Sequence, residues 1–409
     1  MNYQERWLLP AGITESLPEE AIQLETLRHK LLNLYGLWGY QLVIPPMIEF
    51  LESLLVGAGQ ALDLQTFKLT DQFTGRLMGI RADMTPQVAR IDAHCLKRDV
   101  PTRLCYLGTV LHTRHNHFVG SRSPLQLGAE LFGYQGIAAD IEILSLMIET
   151  LSQTELADFH VDVGHVEIYR CLMAQAKQEI LTNFREEQWL AFEEQLFQAI
   201  KRRASAEVES LLCEWKISPT LAPMLRELPQ LNGDSSILTV AEQLLAKAPP
   251  SVLAAINELK QFQAQWRWEH VPLHFDLAEL RGYSYHTGVV FAAYAAKHGR
   301  AIAKGGRYDI GKVFGRSRPA TGFSVNLRTL ITLLPNAVSL PNAIFASAPT
   351  DSVTQASLMA KVNQLRQAGE RVICGLPNQS GDARAMGCAR ELRLLATEWQ
   401  VVAVTDLPQ

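Results

Sequence analysis

The sequence predicts an α+β protein made of a larger core followed by a small α/β module, and three observations predict it. Strand patterns fill much of the stretch before residue 168 and return after residue 262. The block between them, 168–262, reads as helix with few strand signals. From about Asn342 strand and helix alternate again over short lengths. With 409 residues the chain is too long for one compact core, which sets two or three domains as the expectation.

Taken in order, Ser16-Leu17-Pro18-Glu19 has the form of a capping box with proline near the first helical position. Ile22, Leu24, Leu27, Leu31 and Leu34 follow at spacings that favour one helical face, and Gly36 and Gly39 end the helix. Residues 40–44 read as a strand stopped by Pro45-Pro46. Residues 67–70 and 76–81 read as strands joined by a turn at Thr74-Gly75. Thr85-Pro86 opens a helix that turns Val88, Ile91 and Cys95 inward. Residues 103–112 and 124–132 form an antiparallel pair joined by a polar stretch rich in His and Arg. Residues 141–151 suit an amphipathic helix, and 159–163 a strand. Beyond the helical block, 273–276, 288–294 and 300–304 read as strands, and 322–335 as a strand running into a helix. A linker is expected at 334–341. The last module is expected to place strands at 343–347, 371–374 and 400–404, with helices at 353–367 and 382–395.

Composition narrows the function classes. The apolar fraction of 47% and charged fraction of 20% are ordinary for a soluble globular protein. The first seven residues are polar, and no apolar run reaches the roughly 18 residues a membrane span needs, so a cytoplasmic protein is expected. The net charge of −4 argues weakly against RNA, since a tRNA-binding surface is usually basic, though a local basic patch is compatible with it. The six cysteines are scattered, with no C-x-x-C, which points to reduced thiols rather than to a disulfide framework or zinc.

Four segments concentrate chemistry. Arg81-Ala82-Asp83-Met84-Thr85 ends a strand and opens a helix; Asp83 and Thr85 could hold an ammonium group, or simply cap the helix. Gln126, Gly128 and Glu130 share one strand face by period-two alternation, as a floor that a ligand approaches closely or as a solvated face. Glu279-Leu280-Arg281-Gly282-Tyr283-Ser284-Tyr285-His286-Thr287-Gly288 offers a guanidinium for a carboxylate and aromatics able to wall a small polar ligand. Lys304-Gly305-Gly306-Arg307-Tyr308-Asp309 is glycine-rich and charged, lacks the spacing of a Walker loop, and has a tight surface turn as its plain reading. His112, His115 and His117 lie in a loop without a cysteine or a helical i, i+4 pair, so no metal site is expected.

Together and in this order, these segments resemble histidyl-tRNA synthetases over most of residues 5–335. Residues 81–85 are similar to that family's Arg-Pro-Glu-Gly-Thr segment, and 126–130 to the end of its motif 2. Residues 280–291 are similar to its histidine-specific segment, 305–309 to its Gly-Gly-Arg-Tyr-Asp, and 322–328 to motif 3 with Arg328 at its arginine. The resemblance implies a class II aminoacyl-tRNA synthetase-like core, an antiparallel sheet flanked by helices, over 1–335 with a helical insertion at about 168–262. A truncated, charge-balanced anticodon-binding-like α/β module follows at 342–409, a poor tRNA reader. It also implies a histidine-shaped pocket: Asp83, Thr85 and Gln126 toward an α-ammonium, Glu130 toward an imidazole, Arg281 toward a carboxylate or phosphate, Tyr285 as a wall.

The departures bear on activity. The motif 2 Arg-x-Glu falls on His112-Thr113-Arg114, Ser284 replaces an aspartate, and His286 replaces the second tyrosine of the histidine-specific segment. Histidine lacks the arginine fork that holds an α-phosphate, and losing such a donor typically costs about 10²–10³ in rate. Retention of the pocket with loss of the adenylation residues is similar to the ATP phosphoribosyltransferase regulatory subunit family. Leu9-Pro10-Ala11-Gly12-Ile13, Thr66-Phe67-Lys68 and above all the run from Arg81 to His94 read as that family's segments. That resemblance implies a non-catalytic chain without cofactor, paired with a short-form catalytic subunit, in a hetero-octamer of four plus four built on regulatory dimers, with histidine as effector. A synthetase with a degenerate motif 2 is the alternative. A synthetase-like stress sensor would need further domains, for which 409 residues leave no room.

Overall fold

The computed structural model describes the chain apart from residues 1–6, 56–59, 115–120, 155, 157, 181–184, 269, 280–282, 284, 296–297, 310–316, 335–342, 350 and 405–409. It divides into two compact units, Met1–Glu15 with Leu24–Pro335, and Ser16–Gln23 with Asn336–Gln409.

Helix α1 (Pro18–Leu37) buries Leu24, Leu27, Leu31, Leu34 and Tyr35, so the leucine spacing does mark its inner face. Gly39, at a φ of +81°, turns the chain out of it. The strand expected at 40–44 shrinks to β1 (Gln41–Leu42). A small antiparallel sheet follows, formed by β2 (Ile48–Phe50), β3 (Phe67–Thr70) and β4 (Leu77–Ile80) in the order β2-β4-β3, with α2 (Leu51–Leu54) and α3 (Gln60–Gln65) between its strands. Helix α4 (Thr85–Arg90) widens into a π-helical turn at Ile91–Leu96, which Lys97 ends in a left-handed conformation.

The principal sheet uses β5 (Thr102–Thr109), β6 (Leu125–Phe132) and, after α5 (Ile137–Ser152), β7 (Phe159–His165). The helical insertion holds α6 (Val166–Ile180), α7 (Glu186–Lys201), α8 (Ser205–Glu214), α9 (Ala222–Glu227), α10 (Ile237–Leu244) and α11 (Pro250–Gln265), with a two-residue strand β8 (Asn232–Gly233) inside it. Then come β9 (Leu273–Asp276), β10 (His286–Ala295), β11 (Ala301–Tyr308), β12 (Ala320–Asn326) and α12 (Leu327–Thr332). The nine strands lie in the order β1-β5-β6-β12-β11-β10-β7-β9-β8. The sheet is mixed rather than purely antiparallel: β1 runs parallel to β5 and β9 parallel to β7, while the other neighbours are antiparallel. A parallel neighbour needs a long crossover, and the helical insertion supplies the one from β7 to β9. One face of the sheet is packed against α5, α6 and α11, where Leu144, Ile148, Leu172, Leu259, Val161, Val163 and Phe291 close the core. Each such side chain contributes roughly 1.5–3 kcal/mol relative to an exposed one.

The second unit contains β13 (Ile344–Ala346), α13 (Ser352–Gln367), β14 (Val372–Cys374), β15 (Arg390–Leu395) and β16 (Glu398–Ala403), with β13 between parallel β14 and β15, and β16 antiparallel on β15. Asp351 caps α13 by accepting from the Thr354 amide at 2.8 Å. The helix expected at 382–395 is absent. Gly387 at a φ of +67° ends a short turn, and the remainder is a hairpin with Ala396 at +55° in its bend. Arg390-Glu391-Leu392-Arg393 alternates, turning Leu392 into the core with Ile344. The period there is two, not 3.6. Among the described residues no helix is long and apolar enough to cross a membrane.

Candidate functional site

The face of the principal sheet opposite α5 carries Gln126 and Glu130 on β6, with α4 beside them. Gln126 is 9% exposed and Glu130 1%, so this is no solvated strand face. Asp83 Oδ1 accepts from Gln126 Nε2 at 2.8 Å and from the Thr85 amide at 3.1 Å, and Gln126 Oε1 accepts from the Met84 amide at 3.0 Å. Neither Asp83 nor Thr85 is the N-cap of α4; Met84 is, with no side-chain cap. The Thr85 hydroxyl is thereby free to reach inward, 3.0 Å from the Tyr106 hydroxyl and 3.2 Å from Glu130 Oε1, to which it donates.

Glu130 is the centre of the cluster. Tyr106 donates to its Oε1 at 3.0 Å and Tyr308 to its Oε2 at 2.8 Å. Burial disfavours its charge, and the hydroxyls of Tyr308, Tyr106 and Thr85 restore only part of the lost solvation, so its pKa is pushed up to about 8. The Tyr106, Tyr285 and Tyr308 phenols are raised well above their ordinary value, by burial first and by the nearby Glu130 second. Tyr285 stacks on Tyr308 with ring centroids 5.0 Å apart, its hydroxyl buried. The site can therefore offer a neutral ligand a carboxyl that is protonated near pH 7, and a cation the Asp83 carboxylate.

Of the expected residues, Asp83, Thr85, Gln126, Glu130 and Tyr285 converge; Arg281 lies outside the described residues, as do Ser284, His115 and His117. His112 is turned back on the chain, its Nε2 2.9 Å from the Ala82 carbonyl oxygen, and Arg114 is exposed. His286 opens β10; burial lowers its pKa to about 4, and its Nδ1 lies 3.2 Å from the Arg307 carbonyl oxygen, with the ring centroid 5.2 Å from that of Tyr285. Two expectations need correction. Gly128 is no ligand floor: it faces the Tyr106 ring across the strand pair, and a Cβ there would overlap the Tyr106 hydroxyl and stand 2.7 Å from the Phe323 carbonyl oxygen. The segment expected as a turn, Lys304 to Tyr308, is the end of β11, and Gly305 is required there because a Cβ would come within 2.6 Å of the Phe291 ring. Tyr106 and Tyr308 were not anticipated as site residues. Tyr308 belongs to the glycine-rich Lys304–Asp309 segment, and Tyr106 is visible only once the register opposite Gly128 is known.

Gly322, across the sheet from Glu130, has no room for a side chain, because a Cβ would overlap Glu130 Oε2. Gly322→Ala is expected to displace that carboxyl and destabilise the fold by about 1–3 kcal/mol, read from urea unfolding. A change under about 0.5 kcal/mol would contradict the packing described.

Residues 12–330 match the histidyl-tRNA synthetase family, and residues 341–402 match the family described as the ATP phosphoribosyltransferase subunit HisZ C-terminal domain. An ATP phosphoribosyltransferase regulatory subunit of Thioalkalivibrio sulfidiphilus is 52% identical over 412 residues, covering 100% of both chains. One of Nitrosococcus oceani is 47% identical, covering 100% of this chain and 99% of its own. Among solved structures, an ATP phosphoribosyltransferase regulatory subunit/histidyl-tRNA synthetase of Bacillus halodurans superposes with a TM-score of 0.80 at 26% identity, over 93% of this chain and 95% of that one. The histidyl-tRNA synthetase of Nostoc sp. PCC 7120, at a TM-score of 0.75 and 20% identity over 97% of each chain, shares the fold. End-to-end identity near one half, with both segments matched in order, shows that the chain belongs to the ATP phosphoribosyltransferase regulatory subunit family, on a histidyl-tRNA synthetase-like class II fold.

Proposed function

We propose that this chain is a non-catalytic regulatory subunit of ATP phosphoribosyltransferase. It is required for the activity of a short-form catalytic subunit and for histidine feedback inhibition in the first step of L-histidine biosynthesis. The observation that carries the reading is the full-length identity with regulatory subunits, reinforced by the 341–402 match. The site is consistent with it. At the position expected to grip an α-phosphate, His112 is committed to a backbone carbonyl, and Arg114 stands where an acidic group is expected. Tyr106 and Tyr308 hold the buried Glu130 carboxyl.

In this reading the catalytic centre is on the partner chain, in a cytoplasmic hetero-octamer of four regulatory and four catalytic chains built on regulatory dimers, without cofactor or tRNA. Residues 1–335 act as the synthetase-like core, and 342–409 as a shortened anticodon-binding-like module. Histidine is the effector, and feedback is a coupling free energy between its site and the partner's active site. Asp83, Thr85 and Gln126 take its ammonium, Glu130 its imidazole, Arg281 its carboxylate, and Tyr285 forms the wall. A protonated Glu130 suits an imidazole, to which it can donate at neutral pH.

The test is ATP phosphoribosyltransferase activity of a short catalytic subunit from the same organism, with and without this chain, across histidine concentrations. Activity that rises on mixing and falls with histidine is expected. No change on mixing, together with histidine-dependent pyrophosphate exchange by this chain alone, would make it a synthetase instead.

A further inference from the structure

Tyr285, the wall of the pocket, lies between two residues that are held from the helical insertion. Arg170 on α6 donates from Nη2 to the Tyr283 carbonyl at 2.7 Å and to the His286 carbonyl at 2.8 Å. Its guanidinium carbon stands 5.1 Å from the Tyr283 ring centroid, and its Nη1 pairs with Glu167 one turn earlier on the same helix. Tyr283 is itself seated in the insertion: its ring meets Tyr169 of α6 edge-on at 5.4 Å and Phe197 of α7 at 5.6 Å, and its hydroxyl donates to Glu193 at 3.4 Å. Tyr285 points the other way, stacked on Tyr308, whose hydroxyl holds Glu130.

We propose that Arg170 is a positioning residue of the pocket. By fixing the carbonyls on both sides of Tyr285, it sets that ring against Tyr308 before any ligand arrives, which makes the helical insertion part of the ligand-binding apparatus. The proposal rests on the reading that the Glu130 pocket takes histidine. Its physical basis is preorganisation. A planar guanidinium carries two N–H donors on one nitrogen and is oriented here by Glu167 on one side and the Tyr283 ring on the other. Without it, the free energy of ordering Tyr285 would be subtracted from binding.

The experiment is calorimetric titration of the full chain with L-histidine, for the wild type, Glu130→Ala, Arg170→Gln, Arg170→Lys and Tyr283→Leu, with ligand-free thermal midpoints measured in parallel. Arg170→Gln is expected to weaken histidine about tenfold with its ligand-free midpoint little changed. Arg170→Lys, whose ammonium offers three N–H donors on one nitrogen, should recover part of the affinity, and a purely structural role would not produce that pattern. Tyr283→Leu, which empties the same anchor from the other side, should also weaken binding, and it serves as the test if Arg170→Gln does not fold. If Glu130→Ala abolishes binding while Arg170→Gln and Tyr283→Leu bind as the wild type does, the positioning role falls and the pocket reading survives. If the wild type does not bind histidine, or Glu130→Ala binds it unchanged, both fall.

Discussion

Replacing Arg307 with methionine is expected to destabilise the larger unit by about 3–5 kcal/mol. Arg307 is 9% exposed and lies between the sheet and two helices. It pairs with Asp140 of α5, which is 0% exposed, and donates from Nη1 to Glu258 of α11 at 2.9 Å. Thr321 donates to Asp140 Oδ1 at 2.7 Å, and His165 Nε2 lies 3.5 Å from Glu258. Burial raises the Asp140 pKa even with the arginine present, so removing the arginine leaves a buried carboxyl whose charge has lost its main support. Glu258, half-exposed and held at about 2 by His165 and by Arg307, keeps one partner and solvent. The cost should therefore fall chiefly on Asp140, and the pair Arg307→Met with Asp140→Leu should recover much of it, because an apolar pair of similar volume removes both charges at once. Urea unfolding of the two singles and the double decides this. A single-variant loss below about 1 kcal/mol, or full additivity in the double, would mean that the network does not hold the sheet to α5 and α11.

That network was not legible in the sequence, and the reason is physical. Asp140, Glu258 and Arg307 lie on α5, α11 and β11, and no local pattern marks three charges that meet only through tertiary packing. Where one face of a regular element decides the outcome, the sequence was readable. The leucines of α1 and the β6 alternation that brings Gln126 and Glu130 to one face are cases where period alone suffices. A short polar stretch carries too few residues for its period to show. Arg390 to Leu395 looked helical because its alternation is only six residues long, and the pairing with β13 that fixes its period lies some 45 residues away. Lys304 to Tyr308 looked like a turn because Gly-Gly usually makes one, whereas these glycines admit the neighbouring strand and the Phe291 ring. In the site, the acidic and amide groups were anticipated, and two of the three phenols around Glu130 were not. Tyrosine in a strand reads as core until a buried carboxyl is found at its hydroxyl.

The pH dependence of stability should carry the signature of Glu130. Its folded pKa is raised from the ordinary 4.5 to about 8, so between those values the native state binds a proton that the unfolded chain has released. Stability from this group is unaffected below about pH 4.5, declines as pH rises through the interval at up to about 1.4 kcal/mol per unit, and reaches its full loss above about pH 8. Glu130→Gln keeps a neutral side chain of the same shape, still able to meet the Tyr106 and Tyr308 hydroxyls, which can turn to accept from its amide. The difference in unfolding free energy between variant and wild type should therefore move in favour of the variant from pH 5.5 to pH 8.5, by a few kcal/mol, whatever its offset at pH 5.5. Every other titrating group is common to both chains and cancels in that difference. Parallel stability curves over the interval would show that Glu130 is already ionised at neutral pH and that the phenols solvate it fully. On the proposal that this pocket takes histidine, it would then present a charged carboxylate, and the ligand's imidazole would bind as its protonated form, with affinity rising below about pH 6.5. With the carboxyl neutral, affinity should instead be greatest where the free imidazole is unprotonated and Glu130 still holds its proton, between about pH 6.5 and the Glu130 pKa of about 8.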